Sequence, residues 1–259
     1  MEKLPLVSIV TPSFNQARFL EKTMRSVLEQ DYERIEYIVI DGASTDGSLE
    51  IIKKYQSRLA YWVSESDQGQ TDAINKGFNR AKGEILAWIN SDDVYTLGAV
   101  RRAVEYLLDH PQVGMVYGDL DFIDEDDRVV GRFNADQTDL PKLRRGYVHI
   151  PQPSTFLRAD LWKKVGPLDT SFFFAMDYDL WTRMAALSEF KYIPGEPWAK
   201  FRLHFDGKTV SADDRCWPEM LRVHYRDGGS FFSPIVMKYW IRKLVAPYLN
   251  WKRRRMFNR

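Results

Sequence analysis

The sequence predicts an α/β fold: a mostly parallel sheet covered by helices. Three observations carry this. Short β-rich runs alternate with helical stripes through the first half of the chain, joined by short loops. Acidic and small residues gather at the carboxyl ends of those runs, where ligands bind on such sheets. The 259 residues exceed one average domain and fall short of two, so one α/β unit with an appendage is expected.

The elements follow in order. Leu6 to Thr11 is a β-rich run ended by Pro12. Leu20, Met24, Val27 and Leu28 then fall at i, i+4, i+7 and i+8, which predicts a helix over 17–30. Tyr37 to Ile40 is a second strand closed by Asp41-Gly42, and Asp46 and Ser48 suit the next helix start. Tyr61-Trp62-Val63 reads as a third strand, Thr71 to Ala81 as a helix and Ile85 to Ile89 as a fourth strand. A helix from about Leu97 to Leu108 and a strand from Val113 to Tyr117 follow. The second half is less regular. Asp124 to Asp127 lies between two β-like runs and reads as a solvated hairpin turn, residues 151–169 as loops around a short helix, and Asp177 to Ala186 as a helix. The division expected is residues 1–230 as one folded unit, with halves about 1–118 and 119–230, and a tail over 231–259.

Composition narrows the chemistry. Hydrophobic residues make up 44% and charged residues 28%, which is globular usage. Cys216 is the sole cysteine, so disulfide frameworks and cysteine-rich zinc sites are excluded and a reducing, cytoplasmic setting is expected. Met1 to Pro5 runs directly into a strand, which predicts no secretory leader, and no apolar window predicts a membrane span. There is no GxGxxG. Gly207-Lys208-Thr209 fails as a P-loop because Arg202 holds the first glycine position, and Asp119-Leu120-Asp121 fails as an EF-hand at Ile123. The four histidines are dispersed, and no GxSxG marks a nucleophile.

Asn90-Ser91-Asp92-Asp93 directly follows the fourth strand. Two adjacent acids at a strand end repel and need hydrogen bonds or a cation to offset them. Hard oxygen ligands suit Mg²⁺ or Mn²⁺, which keep positions open for phosphate oxygens. A helix cap by Asp93 is the alternative.

Ser8-Ile9-Val10-Thr11-Pro12-Ser13-Phe14-Asn15, Asp41-Gly42-Ala43-Ser44-Thr45-Asp46-Gly47-Ser48, Glu65-Ser66-Asp67-Gln68-Gly69 with Ala73 to Gly77, and Asn90 to Asp93 resemble successive blocks of the family 2 glycosyltransferases. Ala175 to Trp181 is similar to the family's later acidic block, and Arg202-Leu203-His204 to its late histidine. The resemblance covers about residues 5–210 and implies the GT-A fold and an inverting transferase that uses a nucleotide-diphosphate sugar. It implies that Thr11, Pro12 and Asp41 line the nucleoside pocket, with Asp41 accepting from the imide N–H of uracil, so that a UDP-sugar is favoured. It makes Asp92 a metal ligand with Asp93 beside it, His204 a late metal ligand or phosphate contact, and Asp177 the general base. Asp67 and Lys76 are candidate donor contacts. Lys76 also suits a pair with Asp72 at i+4. Gln152 is a candidate acceptor contact or a loop-fixing residue. Asp179 reads as structural, holding Arg183 at i+4. The implied cofactor is Mn²⁺ or Mg²⁺, and the implied acceptor a glycan or lipid-linked hydroxyl in cell-envelope or extracellular polysaccharide synthesis.

The sequence departs from the family pattern in places. Gly42 stands where many members carry a second Asp, Asn90 where the acidic motif has its first Asp, and Met176 where Glu is common. A sugar-phosphate nucleotidylyltransferase would carry a Gly- and Arg-rich loop after the first strand, where Pro12 to Asn15 stand instead. A non-catalytic binding module of this fold would be expected to lack the base or the metal acid, and Asp177 and Asp92 are both present.

Charge is segregated. Residues 1–230 carry 29 basic and 36 acidic groups, whereas 231–259 carry eight basic and no acidic ones. Met237, Trp240, Ile241, Leu244, Tyr248 and Trp251 fall on one helical face, with Pro247 expected to kink or break it. Such a stripe suits a peripheral contact with the cytoplasmic face of an anionic membrane, or docking on the folded unit. The acidic body argues against nucleic acid as a partner.

Overall fold

The computed structural model describes residues 4–204, 207–208 and 216–257, with the side chains of 246–257 outside the description. The expected strands are present as β1 (Val7–Ser13), β2 (Ile35–Asp41), β3 (Tyr61–Ser64), β4 (Ile85–Trp88) and a strand over Val113–Gly118. Between them lie α1 (Ala17–Leu28), α2 (Ser48–Tyr55), α3 (Gln70–Arg80) and α4 (Ala99–Asp109). The strand pair β5 (Val94–Tyr95) precedes α4, so Val113–Gly118 is β6. Then come β7 (Leu120–Ile123), β8 (Val129–Phe133), α5 (Leu140–Arg144), β9 (Thr155–Arg158), α6 (Ala159–Val165), α7 (Met176–Ala185), β10 (Glu189–Ile193), β11 (Ala199–Arg202), α8 (Cys216–Arg226) and α9 (Pro234–Phe257).

Among the described residues the main sheet has seven strands in the order β10-β6-β9-β4-β1-β2-β3. All run parallel except β9, which lies antiparallel between β4 and β6. That strand corrects the loop expected near 155–158. It is four residues long beside a proline-rich turn, too short for its period to show. A second sheet, β5-β11-β7-β8, stacks the 124–128 hairpin beside the carboxyl end of β4. The hairpin turn is tied down as well as solvated: Arg18 pairs with Glu125, and Lys22 and Arg202 with Asp127.

Helices cover both faces. The central strands are buried along their full length, as a sheet covered on two sides requires. α3 approaches β1 so closely that a Cβ at Gly77 would stand 2.4 Å from Val10 Cγ1. We expect Gly77→Ala to cost about 1–3 kcal/mol through overpacking. Thermal denaturation should show a fall of several degrees in Tm for a chain this long.

On the other side of the site, the Trp88 and Trp181 rings stack at 5.4 Å and 25°. Both are fully buried, so α7 is held directly against the strand that leads to Asn90. Asn75 of α3 bonds the Leu168 carbonyl at 2.9 Å and accepts from its N–H at 3.0 Å, which fixes the approach to α7.

α9 runs through position 247 without a break. A proline there removes one backbone hydrogen bond while the flanking turns persist. Among the described residues no helix is long and apolar enough to cross a membrane.

Candidate active site

The acidic corner is built by the turn that leaves β4. Ile89 N–H still bonds Val10 at 3.0 Å, and Asp93 N–H closes the turn on the Asn90 carbonyl at 3.1 Å. The two acids then face opposite ways. Asp93 is fully buried and accepts from Arg202 N–H at 3.0 Å and from Asn90 Nδ2 at 3.1 Å. Burial, with the Asp92 charge beside it, pushes its carboxyl well above the usual range. Asp93 is therefore a buried tie between β4 and β11, which corrects the donor contact expected of it. Asp92 is partly open, and its Oδ2 meets His204 Nε2 at 2.9 Å. His204 itself is buried against the Phe19 ring, with centroids 4.9 Å apart.

The floor under β1 and β2 is closed more tightly than expected. Thr11 is fully buried and its hydroxyl pairs with Tyr37 at 3.0 Å; Pro12 is buried beside it. Neither presents an open side chain, because the neighbouring strand takes the hydroxyl. Asp41 is also fully buried. Its Oδ2 accepts from Ser44 N–H at 3.0 Å and from Ser64 Oγ at 2.6 Å, tying the 41–44 turn to the end of β3. That turn holds Ala43 at φ +63°, a left-handed conformation that costs a non-glycine residue free energy. Asp67 lies over Gly42, where an added Cβ would stand 2.9 Å from Asp67 Oδ2. Gly42 is thus the space that Asp67 fills. Lys76 pairs with Glu65 at 3.1 Å and Asp72 at 3.4 Å, so neighbouring acids already hold its charge. Gln152 donates to the Trp88 carbonyl at 2.9 Å and accepts from Asn90 at 3.3 Å. It braces the acidic turn, the loop-fixing role, and these bonds commit the amide expected for an acceptor.

Asp177 sits in the first turn of α7, where the helix dipole favours an acid. Glu219 of α8 accepts from the N–H groups of Phe173, Phe174 and Ala175 at 3.0, 2.6 and 2.9 Å, which anchors the start of that helix. Burial raises the Asp177 carboxyl above its ordinary value, opposed by the Tyr178 N–H and by the Lys208 charge. Two turns of α7 are locked from below: Arg183 Nε and Nη2 both bond Asp179 Oδ2, at 2.9 and 2.8 Å. Arg226 of α8 pairs with the other oxygen of Asp179.

Two residues at this site had no signal of their own in the sequence. Gln70 Nε2 donates to Asn90 Oδ1 at 2.6 Å, and Lys208 Nζ donates to Gln70 Oε1 at 2.9 Å. This chain links the corner after β4 to the neighbourhood of Asp177.

The family model "Glycosyl transferase family 2" matches residues 8–182, well over half the chain. The chain belongs to glycosyltransferase family 2. This glycosyltransferase is 35% identical over 192 residues to an uncharacterised glycosyltransferase of Mycobacterium tuberculosis, covering 73% of this chain and 72% of that one. It is 34% identical over 108 residues to the putative teichuronic acid biosynthesis glycosyltransferase TuaG of Bacillus subtilis, covering 40% and 43%. Its fold is GT-A, similar to that of Staphylococcus aureus TarS 1–349 in complex with UDP-GlcNAc. That likeness has a TM-score of 0.69 at 16% identity, over 91% of this chain and 71% of that one. The mannosyltransferase PcManGT of Pyrobaculum calidifontis, in complex with GDP-Man and Mn²⁺, aligns with a TM-score of 0.69 at 22% identity, over 92% and 70%.

The glycosyltransferase offers a divalent ion one carboxylate and one imidazole, from Asp92 and His204. Among the described residues no group of three or more His, Cys, Asp or Glu forms a closed metal site. The pair fits an ion that completes its shell with diphosphate oxygens and water, since each donor atom is already aimed at the other at 2.9 Å.

Proposed function

We propose that this glycosyltransferase moves a sugar from a nucleoside diphosphate to an acceptor hydroxyl with inversion, a UDP-sugar being the favoured donor. The observation that carries this reading is the placement of Asp177 across the Lys208–Gln70–Asn90 chain from Asp92 and His204. A base and a diphosphate-binding corner then flank one reacting carbon. The acceptor oxygen bonds to the anomeric carbon as the carbon–oxygen bond to the diphosphate breaks, and that electron pair leaves on the diphosphate. Asp177 takes the acceptor proton as the new bond forms. Burial of its carboxyl strengthens it as a base. A divalent ion held by Asp92 and His204, Mn²⁺ or Mg²⁺, would neutralise diphosphate charge. The nucleotide sugars bound in the two structural neighbours support the donor class, and the TuaG relative supports a role in cell-envelope polysaccharide.

The test is a thermal-shift panel of UDP, GDP, CDP, ADP and dTDP, each with Mn²⁺, Mg²⁺ or EDTA. A nucleotide at about 100 times its Kd stabilises the fold by roughly 2.7 kcal/mol. A metal-dependent rise with UDP is expected. No rise with any nucleotide would remove the donor site.

The tail reading concerns where this reaction takes place: we propose that α9 rests on an anionic bilayer, which would bring the site near a lipid-linked acceptor. Ile235 and Val236 are buried, but Met237, Trp240, Ile241 and Leu244 stay 46–78% exposed, so this part of the stripe is not docked on the folded unit. Tyr248 and Trp251 lie outside the described side chains. Lys238, Arg242 and Lys243 share the helix with no acid near them in sequence. Removing residues 237–259 should abolish sedimentation with vesicles containing phosphatidylglycerol. Unchanged sedimentation would overturn the membrane contact, and a change from dimer to monomer would assign the stripe to a second copy.

A further inference from the structure

We propose that Lys208 is a catalytic cation whose ammonium donates a hydrogen bond to the diphosphate leaving group. The assignment rests on the donor reading above and deepens it. Lys208 Nζ lies 2.9 Å from Gln70 Oε1, and Gln70 Nε2 lies 2.6 Å from Asn90 Oδ1. The ammonium therefore stands one side chain away from the corner where the diphosphate must sit. On its other side are the rings of Phe173 and Phe174, with centroids 4.1 and 5.8 Å away. The acids that act on it are Asp177 and Glu219.

Three physical points favour a phosphate partner. A lysine ammonium enclosed by rings is poorly hydrated, and burial lowers its pKa to about 8, so the charge is retained at neutral pH at a cost. The acids beside it have other work: Glu219 holds three N–H groups at the start of α7, and Asp177 accepts from Tyr178 N–H and faces the acceptor proton. Gln70 is a neutral partner, so exchanging its amide oxygen for a charged phosphate oxygen replaces a weaker hydrogen bond with a stronger one.

The gain is largest late in the reaction. When the bond from the anomeric carbon breaks, its electron pair settles on the departing phosphate oxygen. A donor already in place stabilises that new charge without reorganisation. Lys208 keeps its protons throughout, and the acceptor proton goes to Asp177.

The test uses the full chain, as wild type, Lys208→Met and Lys208→Arg, titrated calorimetrically with UDP, UMP and inorganic pyrophosphate in excess Mg²⁺. Pyrophosphate carries no base, so it probes the diphosphate site whatever nucleoside the pocket prefers. We expect Lys208→Met to weaken UDP and pyrophosphate by about 10–100-fold, the range for a charge-assisted hydrogen bond, while UMP changes less than about 2-fold. In steady state kcat should fall with it. Lys208→Arg keeps the charge and should recover most of both. Equal weakening of UMP and UDP, or unchanged binding of all three, overturns the assignment. So does a displaced acid limb of kcat with unchanged UDP affinity, which would make Lys208 a counter-ion to Asp177. If wild type binds neither UDP nor pyrophosphate, the donor reading falls and takes this assignment with it. Binding by wild type with no loss in Lys208→Met overturns Lys208 alone.

Discussion

Asp177→Asn should lower kcat by about 10³-fold while UDP affinity changes little. Asparagine fills the same space at the start of α7 and can still accept from Tyr178 N–H, so the helix keeps its geometry. What it lacks is the ability to take a proton from the acceptor hydroxyl. The donor corner is assembled by other elements, from β4 and β11, so a calorimetric UDP titration separates the two functions. Parallel loss of affinity and turnover would remove Asp177 from the base role.

The same carboxyl sets a pH dependence. Its value is raised, burial being the main cause. The base is needed ionised, so kcat should fall as pH drops through a point above the ordinary aspartate range. Stability runs the other way. A carboxyl whose value is higher in the folded state contributes stability at low pH and loses it as pH rises through the folded value. At neutral pH the folded chain carries the cost of an ionised, desolvated Asp177, so Asp177→Asn should melt at or above wild type there. The gap should close toward pH 4. A base that costs stability in this way is distinguishable from a residue retained for packing.

The parallel strands were legible because each is a run of buried β-branched and aromatic residues with a helix stripe after it. β9 was not, since four residues after Gln152-Pro153-Ser154 carry no period and their antiparallel insertion depends on strands distant in sequence. The second sheet has the same character: β5 and β11 pair across about a hundred residues, a separation no local pattern encodes. Site residues divide similarly. The Asp92–His204 meeting and the position of Asp177 follow from motif order. Which of two adjacent acids turns inward does not, because the backbone N–H of Arg202 decides it for Asp93. Thr11 was misjudged for a related reason, its hydroxyl being taken by Tyr37 on the next strand. Lys208 belongs to no motif at all and is placed by Gln70 and two phenylalanine rings.

Arg202→Met should be the most damaging substitution to the fold near the site, at about 3–5 kcal/mol. Arg202 is a fully buried guanidinium, 1% exposed as a residue. Its Nε donates to the Asp92 carbonyl and its Nη1 to the Asp124 carbonyl, both at 2.9 Å. Its Nη2 lies 2.6 Å from Asp127 Oδ1 as an ion pair, off the axis of a good hydrogen bond, and Phe19 covers its face at 4.7 Å. Methionine would fill much of the volume but leave two buried carbonyls without donors beside the buried Asp93. Lysine could not repair this, because one ammonium cannot reach three acceptors laid out for a planar fork. The functional consequence follows from the same bonds. The Asp92 carbonyl is one of the groups Arg202 holds, so losing the guanidinium frees the turn that aims Asp92 at His204. Chemical denaturation should show the lost stability as a lower midpoint at unchanged slope. Titration of the refolded variant with UDP and Mn²⁺ should show weakened metal-dependent binding even under conditions where the chain is folded. A variant with full stability, or one that is unstable yet binds UDP and Mn²⁺ like wild type once folded, would show that the turn after β4 holds its shape without this clamp.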